Sequence, residues 1–421
     1  MVKEAMAILM GQKATEMIKE FKNLPNTNLI IDFEKIIYPH NVREFVNNYF
    51  EIKPLLISRN NCSYFESLLT ISEINLLLER KDIHYPSIRL VKDGLELPQT
   101  DYLKNLPYGN QVFEGLIEND RLFTLFSEGC TIVFQALHRT LPSLATFCRS
   151  VESFFKIPVQ TNIYLTPTSS QGFAPHFDNH DVFILQTYGS KFWRVYDSPQ
   201  YLPTKPFDKQ RWKKSKPSIE IELKEGDTLY IPRGFVHDAI TSTRPSMHIT
   251  LGLLTYTWID VFKIMIEKSH EIPSFRKSFD WNSISTENFK VNVSELQNQL
   301  FNKVGFEDIK EEFNSRFAKK ILSNDSNRLL DIINLNNIDV YTSFQVRKEI
   351  VFKISSEKEN VILSFYNKTI KFPIYIANTL VHLLSLERFC ICDLSDEIDE
   401  PGKFVLVKTL VKEGILFVKN V

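Results

Sequence analysis

A continuous series of strand patterns, from Thr161 to Thr257, constrains the fold of this chain more than any other feature. The runs are short, alternating or fully apolar, rich in β-branched and aromatic residues, and separated by proline and glycine. Because no long helical pattern lies between them, they favour an antiparallel barrel or sandwich over a parallel sheet. One polar, lysine-rich insertion, from about Ser198 to Pro217, interrupts the series.

The segments on either side carry helical patterns, so the sequence predicts an α+β chain. With 421 residues it is too long for one ordinary core. We expect a mixed N-terminal lobe at 1–130, the barrel at 131–257, a helical region at 258–325 and a small C-terminal domain at 337–421.

The helical region and the C-terminal domain have different patterns. The helical region repeats apolar residues on one face, and exposed stripes of this kind often form interfaces. The C-terminal domain has a strand pattern at 361–365, a helix near 376–386 and an apolar run at 405–418, interpreted as a terminal hairpin. Helices followed by such a hairpin predict a winged-helix-like domain. The apolar positions of the stripe are Ile259, Phe262, Ile266, Leu296, Leu300 and Val304.

The charges of the chain are balanced, with 50 lysine and arginine residues against 51 aspartate and glutamate residues. No overall field draws the molecule to nucleic acid or to an anionic membrane, so any contact with nucleic acid is local, through a ribosome or a basic loop. One basic cluster in the insertion is interpreted as a solvated loop, with contact to an acidic peptide or to RNA as the alternative. It consists of Lys205, Lys209, Arg211, Lys213, Lys214 and Lys216, with Trp212 among them.

Cysteine usage and the N-terminal segment favour a cytoplasmic protein without a membrane span. The five cysteines are odd in number and lack the spacing of a disulfide scaffold. Cys390 and Cys392 form a close pair, but two thiols without a second pair or nearby histidines do not make a structural zinc site. The apolar stretch at 5–10 is short and flanked by charges, which predicts an amphipathic helix.

A metal site is the sharpest chemical prediction. His176 and Asp178 are two residues apart on a strand-like segment, so their side chains point to the same side. A second segment, 226–237, has turn residues around a strand and is expected to deliver His237 at its far end. Two imidazoles and one carboxylate form the facial set preferred by non-haem iron(II) oxygenases, because three coordination positions stay free. His180 and His248 are the competing candidates for the third ligand.

A cation deep in the barrel would convert such an iron site into a 2-oxoglutarate site. Lys191 follows Tyr188-Gly189-Ser190, which we interpret as a turn, so that its strand returns antiparallel to 182–186. A buried lysine flanked by Phe192 and Trp193 requires an anionic partner, whereas a surface lysine on a hairpin is the alternative. Neutral hydrogen bonds to the same carboxylate are expected from Asn162, Thr250 and Tyr164.

Six segments carry these motifs in a fixed order. They are Asn162–Pro167 (NIYLTP), Gln171–Asp178 (QGFAPHFD), Asp181–Gln186 (DVFILQ), Gly189–Arg194 (GSKFWR), Gly226–His237 (GDTLYIPRGFVH) and Ser246–Thr250 (SMHIT). In this order they resemble the JmjC oxygenases and, within them, the cupin-like ribosomal oxygenase branch. The resemblance is strong from Thr131 to Thr257.

The resemblance implies a fold and a set of roles. The fold is a JmjC/cupin double-stranded β-helix barrel with a helical dimerisation region and a C-terminal winged-helix-like domain, and the chain is then a homodimer. In the family, the positions that match His176, Asp178 and His237 bind iron. Those that match Lys191 and Asn162 hold 2-oxoglutarate.

The function implied is an Fe(II)- and 2-oxoglutarate-dependent hydroxylase of an amino-acid side chain in a protein or peptide. Members of this branch hydroxylate histidine or arginine in ribosomal proteins, and other JmjC proteins demethylate lysine. The alternatives are an oxygenase that tailors a small peptide or natural product, and a non-catalytic metal-binding cupin adaptor.

Some residues are weaker candidates for the cavity and its mouth. Phe183, Trp193 and Tyr230 are candidate wall residues, although each type is more often plain core. Arg89 and Arg233 are candidate contacts for a peptide, although arginine more often has a solvated or structural role.

Overall fold

The computed structural model describes residues 31–208, 212, 215–279, 281, 285–320, 327–347, 350, 352–366, 368–395 and 397–419. The helix predicted at 5–10 lies outside these ranges, and so do Lys209, Arg211, Lys213 and Lys214 of the basic cluster. The chain divides into two compact units, Met1–Thr255 and Tyr256–Val421. No helix in the described ranges combines the length and the apolar character that a membrane span requires.

The first unit combines a β-barrel with helices. Its described strands are β1 (Leu55–Ile57), β2 (Ile88–Lys92), β3 (Leu95–Glu96), β4 (Leu103–Tyr108), β5 (Gln111–Ile117), β6 (Thr131–Phe134), β7 (Val159–Thr166), β8 (Asp181–Val195), β9 (Ile219–Lys224), β10 (Thr228–Ile231), β11 (His237–Ile240) and β12 (Ser246–Leu253). Its described α-helices are α1 (Phe33–Ile37), α2 (Val42–Asn48), α3 (Ile71–Glu79), α4 (Asn119–Ser127) and α5 (Pro142–Phe155).

Ten of these strands form the barrel sheet through antiparallel pairs, as the strand patterns predict. The order is β1-β10-β8-β12-β7-β6-β2-β3, and β9 and β11 pair with β8. The strands β1, β2 and β3 precede the predicted barrel boundary at residue 131 but pair with barrel strands. Strands β4 and β5 form a separate hairpin. The pairing of β2 with β6 joins residues 40 to 46 positions apart, which local patterns cannot show.

Strand β8 is continuous through residues 181–195, so the turn predicted at 188–190 is wrong. Its first half pairs with β10 and β12, and its second half pairs with β9 and β11. Gly189 lies between the halves with a φ of 62°. A side chain there would lie 1.8 Å from the Pro245 carbonyl oxygen. Glycine therefore bends the strand from one side of the barrel to the other without reversing it.

The outer face of the barrel is covered by an aromatic core. Phe183 and Tyr230 lie 4.8 Å apart between ring centroids. Phe45 of α2 packs 4.9 Å from Tyr230, and Phe33 of α1 packs 6.0 Å from Phe183. Phe183 and Tyr230 thus pack outward against helices, so their prediction as cavity wall residues is wrong. Side chains alternate between the two faces of a strand, so one apolar run contains both inward-facing and outward-facing residues. The sequence alone therefore did not show on which face Phe183 and Tyr230 lie.

The second unit contains helices and two small sheets. Its described α-helices are α6 (Trp258–Ser269), α7 (Thr286–Lys303), α8 (Phe306–Lys320), α9 (Arg328–Ile333), α10 (Ala377–Ser385) and α11 (Glu400–Lys412). Its described strands are β13 (Ser343–Val346), β14 (Phe352–Glu357), β15 (Asn360–Phe365), β16 (Lys368–Pro373), β17 (Arg388–Cys390) and β18 (Leu416–Val418). The sheets have the orders β17-β13-β18 and β14-β15-β16.

The terminal hairpin predicted at 405–418 is wrong. Most of this run belongs to α11, whose residues Val407, Leu410 and Val411 are fully buried at helical spacing. Gly414, with a φ of 77°, follows the helix, and β18 then pairs with β13. The winged-helix assignment and the domain boundaries at 130, 257, 325 and 337 remain predictions.

Candidate metal and co-substrate site

Three side chains with metal-binding atoms converge in the barrel: His176, Asp178 and His237. One ligand atom of each lies within 4.8 Å of the other two. The Nε2 atom of His237 is 3.7 Å from the Oδ2 atom of Asp178, and the two imidazole centroids are 4.6 Å apart. Metal–ligand bonds of about 2.1 Å separate neighbouring ligand atoms by about 3 Å, so a small contraction lets one ion bind all three.

Backbone hydrogen bonds hold the two ligand-bearing segments together. The amide of His176 donates to the carbonyl of His237 (3.2 Å), and the amide of His237 donates to the carbonyl of His176 (2.8 Å). The segment at 176–178 is otherwise not a strand, because His176 makes one isolated bridge to His237. His237 also opens β11 and does not end β10. The prediction that these residues converge is therefore confirmed. The predicted secondary structure around them is wrong, because His176 and Asp178 do not lie on a strand and His237 begins a strand and does not end one.

Hydrogen bonds fix the orientation of both imidazoles. The Nδ1 atom of His176 lies 2.9 Å from the carbonyl oxygen of Ala174, and Nδ1 of His237 lies 3.0 Å from that of Phe235. A carbonyl oxygen accepts but cannot donate, so the hydrogen is assigned to Nδ1 in each ring. Both Nε2 lone pairs are left free for an ion.

His237 is deeply buried, and this keeps its ring neutral. Burial lowers its pKa from the usual value, and the neighbouring His176 lowers it further. A neutral imidazole is the form that binds a metal ion, so no proton has to be displaced at neutral pH.

The competing histidines do not join this group. The ring of His180 lies against Gly252, where an added side chain would come within 2.6 Å of it. His248 stacks on Tyr164 with ring centroids 5.0 Å apart and planes inclined by 10°. Within the described residues, the ligand group contains neither His180 nor His248.

Lys191 is buried, with 4% of its surface exposed, so the alternative of a surface lysine is wrong. Its Nζ atom donates to the hydroxyl of Thr166 (2.9 Å), and the hydroxyl of Thr131 donates to the same Thr166 oxygen (3.1 Å). Burial lowers the pKa of Lys191 to about 7. A hydroxyl cannot compensate for the desolvation of an ammonium group, and an anion in the cavity would.

The other three candidates share one face of two neighbouring strands. Asn162 of β7 lies opposite Thr250 of β12, and Tyr164 lies opposite His248. The Oδ1 atom of Asn162 accepts from the amide of Ala136 (3.1 Å). Burial raises the pKa of Tyr164 to about 12, so its hydroxyl stays a hydrogen-bond donor. Because side chains alternate along a strand, Thr166 lies on the same face of β7 as Asn162 and Tyr164. This two-residue spacing could have identified Thr166 from the sequence, but it was not predicted as a site residue.

Two neighbouring side chains, His248 and Trp193, each have a buried polar atom without a hydrogen-bond partner among the described residues, Nδ1 and Nε1 respectively. Their side chains are 2% and 6% exposed, and the rings lie 5.3 Å apart. Trp193 is also 6.1 Å from His237, which fits its prediction as a wall residue. Unpaired buried polar atoms are costly, so the cavity is suited to a polar guest.

Arg233 has a structural role. It is 8% exposed, its Nη2 atom lies 2.6 Å from Glu51 and its Nη1 atom lies 3.7 Å from Asp181. Of the roles considered for Arg233, the structural one is therefore the one that its contacts support. Arg89 is more accessible and pairs with Glu96 at 2.9 Å.

Comparison with known proteins identifies the segment that carries the site. A family model described as JmjC domain matches residues 134–261. This segment is a JmjC domain. It includes His176, Asp178, His237 and Lys191 and the strands from β7 to β12. The resemblance to the JmjC oxygenases is thereby confirmed.

Curated relatives are similar to a little over half of this chain. The chain is 31% identical over 245 residues to the bifunctional lysine-specific demethylase and histidyl-hydroxylase NO66 of Aedes aegypti, covering 55% of this chain and 36% of that protein. It is 30% identical over 243 residues to NO66 of Dictyostelium discoideum, covering 56% of this chain and 46% of that protein. The chain thus matches less than half the length of these relatives.

Solved structures confirm the α+β barrel fold. The ribosomal oxygenase YcfD of Escherichia coli has a TM-score of 0.55 at 18% identity, over 90% of this chain and 98% of that chain. YcfD in complex with cobalt and 2-oxoglutarate has a TM-score of 0.51 at 17% identity, over 91% and 99%. At these identities the similarity concerns the fold.

Proposed function

We propose that the chain is an Fe(II)- and 2-oxoglutarate-dependent oxygenase that hydroxylates an amino-acid side chain in a protein or peptide. The observation that supports this most is the combination of two features in one barrel. A two-histidine, one-carboxylate donor set converges, and the buried ammonium group of Lys191 has no anionic partner among the residues that the structure describes. A metal-binding adaptor has no use for the second feature.

The donor set fits ferrous iron. His176, Asp178 and His237 supply two nitrogen atoms and one oxygen atom, and this facial set leaves three positions open. Both Nε2 atoms are free because each Nδ1 is held by a carbonyl oxygen. In this proposal the three residues hold the ion.

The interior fits 2-oxoglutarate. Lys191 pairs with the distal carboxylate of the co-substrate, and Thr166 is already within reach of the same group. Asn162, Tyr164 and Thr250 add neutral hydrogen bonds from the neighbouring strands. The carboxylate of the co-substrate would pair with the ammonium group of Lys191, and this charge-assisted hydrogen bond favours binding.

When bound, the ferrous ion and 2-oxoglutarate would supply the oxidising chemistry, in which 2-oxoglutarate loses carbon dioxide to become succinate, one oxygen atom of dioxygen enters succinate and the other is added to the substrate. The protein orients these groups and excludes water. His176 and His237 are oriented by carbonyl oxygens, and Trp193 covers His237.

The substrate class follows from the relatives. NO66 is named a histidyl-hydroxylase and a lysine-specific demethylase, and YcfD is named a ribosomal oxygenase. We therefore propose a histidine or arginine side chain of a ribosomal protein as the target. Lysine demethylation and the tailoring of a small peptide are outcomes that the experiments below distinguish.

Turnover of 2-oxoglutarate tests the enzyme proposal. We expect the purified chain with ferrous iron to form succinate, and Asp178→Ala to abolish it. Asp197→Ala, which changes an exposed carboxylate, is the matched control and should leave turnover intact. If no substrate gives succinate and 2-oxoglutarate does not raise the melting temperature, the adaptor alternative replaces this proposal.

Mass spectrometry tests the substrate proposal. Incubation with ribosomal proteins should add one oxygen atom to a histidine or arginine residue. Loss of a methyl group with release of formaldehyde would indicate demethylation. Oxidation of short peptides alone would indicate the tailoring activity.

A homodimer is proposed from α6. Its side chains Trp258, Ile259, Phe262 and Ile266 are 64%, 52%, 51% and 60% exposed in the single chain. Such a contiguous apolar face is unusual on a monomer surface. We expect the wild-type chain to have the mass of a dimer by light scattering, and Phe262→Glu to give a monomer. Val405→Glu, at a residue 66% exposed elsewhere in the second unit, is the control. The cytoplasmic location remains a prediction.

A further inference from the structure

The insertion at 198–217 packs two aromatic rings against the back of the metal-binding segments. Phe207 and Trp212 lie within it, with ring centroids 5.8 Å apart. Together with Phe177, Tyr196 and Val236 they form one apolar cluster. This cluster is defined here as the aromatic clamp.

The clamp reaches the first two ligands through Phe177. Phe177 stands between His176 and Asp178, and its side chain is 7% exposed. Its ring meets the ring of Phe207 edge to face, with centroids 5.0 Å apart. A movement of Phe207 would therefore turn the backbone that carries both ligands.

The clamp reaches the third ligand through Tyr196 and Val236. Val236 precedes His237 and is fully buried. The ring of Tyr196 lies 5.4 Å from the ring of Trp212, and its hydroxyl donates to Asp238, the residue after His237, at 2.9 Å. Phe207 and Trp212 thus pack on a cluster that includes Phe177, the neighbour of His176 and Asp178, and Val236, the neighbour of His237.

The segment that carries His176 and Asp178 needs this support because it has few backbone hydrogen bonds of its own, whereas His237 lies in β11, which pairs with β8. His176 makes an isolated bridge to His237, and the carbonyl of Asp178 accepts from the amide of Gly234 at 3.1 Å. Residues 177–180 form no strand. Where a backbone lacks a ladder of hydrogen bonds, packing behind it determines how precisely its side chains are held.

We infer that Phe207 and Trp212 are positioning residues, which fix the geometry of the three metal ligands by clamping their segments from behind. The inference rests on the proposed metal site. It assigns the insertion a role in metal binding, beyond the solvated loop that its composition suggests. Supporting groups of this kind typically change metal affinity by about 10- to 100-fold.

The test measures metal affinity and stability separately. Cobalt(II) binding to the full chain is followed by its visible absorption, whose intensity depends on coordination geometry, and the melting temperature is measured without metal. We expect Phe207→Ala and Trp212→Ala to weaken cobalt binding by about tenfold or more and to alter the spectrum. Phe207→Leu and Trp212→Phe, which keep apolar volume, should restore most of the affinity.

Phe154→Ala is the matched control. Phe154 is half-buried like Phe207 and stacks on Phe33 at 4.7 Å, but it lies beside none of the ligands. We expect it to lower the melting temperature without changing the affinity for cobalt. Where an alanine variant does not fold, the leucine and phenylalanine variants are expected to show a smaller but measurable loss of affinity.

Two results overturn the inference in different ways. If the wild-type chain binds cobalt and the clamp variants bind it equally tightly, the clamp is only structural and the proposed function stands. If the wild-type chain and its His176→Ala variant are alike in not binding cobalt, the metal site fails and the clamp inference fails with it.

Discussion

The ammonium group of Lys191 donates to the hydroxyl of Thr166 at 2.9 Å inside the barrel, where a hydroxyl is a weak counterpart for a buried charge. Burial accordingly lowers the pKa of Lys191 to about 7. The neighbouring His248 has its own pKa lowered by burial and by Lys191, so it stays neutral and adds no second positive charge. In the free protein the charged form of Lys191 is therefore disfavoured, and an incoming carboxylate would stabilise it.

Lys191→Met should remove the anchor for the co-substrate and keep the metal site. Hydrogen bonds to charged groups contribute about 1.5–3 kcal/mol, so we expect 2-oxoglutarate to bind about 10- to 100-fold more weakly. Thr166→Val removes a neutral hydrogen-bonding group and should weaken the binding free energy of 2-oxoglutarate by about 1 kcal/mol. Calorimetric titration with 2-oxoglutarate in the presence of manganese measures both. Unchanged affinity in Lys191→Met would place the carboxylate elsewhere.

Binding of 2-oxoglutarate should take up a proton above neutral pH. With a pKa of about 7 in the free protein, Lys191 is mostly neutral at pH 8, and an adjacent carboxylate raises this pKa toward or beyond its usual 10.5. Affinity should therefore fall as pH rises above about 7, with up to one proton bound per co-substrate. Calorimetry in buffers of different ionisation enthalpy measures this uptake, and Lys191→Met should abolish it. Equal heats in all buffers would show that Lys191 is already charged.

Local sequence patterns predicted the residues of the site better than their setting. The two-residue spacing of His176 and Asp178 identified both side chains, although an extended loop and not a strand presents them. Lys191 was identified because a buried lysine next to Phe192 and Trp193 needs an anionic partner, although the predicted turn before it is absent. The chemistry of metal and anion binding limited which residue types could form the site. The path of the backbone depends on long-range contacts, and local sequence patterns do not contain these.

Long-range contacts account for most of what the sequence did not predict. Arg233 pairs with Glu51, which is 182 positions away, and this partner explains its buried, structural role. Phe207 and Trp212 were part of a polar insertion whose composition indicated a solvated loop, yet both join a buried cluster. In each case the deciding neighbour lies on another element, and no periodicity within a single segment encodes it.

Arg233→Ala should destabilise the first unit strongly. It would leave the fully buried carboxylate of Asp181 without its guanidinium and break the 2.6 Å ion pair with Glu51. Removing one partner of a buried pair typically costs about 3–5 kcal/mol. Arg89→Ala breaks a more exposed pair with Glu96 and should cost at most about 1 kcal/mol. Urea unfolding of both variants measures the difference. A stable Arg233→Ala variant with impaired turnover would restore the hypothesis that Arg233 contacts the substrate.

Gly189→Ala should separate co-substrate binding from metal binding. An added methyl group would lie 1.8 Å from the Pro245 carbonyl oxygen, so β8 has to shift between its two halves. We expect the shift to move Lys191, two residues further along, more than the metal ligands, because His237 pairs with Val195 at the far end of β8.

The matched control for this change is Gly109→Ala. Gly109 has a similar φ, 59° against 62°, but nothing lies within 4 Å of its added methyl group. The control should therefore cost only the left-handed backbone strain of about 1–2 kcal/mol. Gly189→Ala should cost more in urea unfolding and should weaken 2-oxoglutarate binding while cobalt binding is kept. If both variants lost the same stability and the same affinity for 2-oxoglutarate, backbone strain alone would explain both losses. In that case β8 relaxes without moving Lys191.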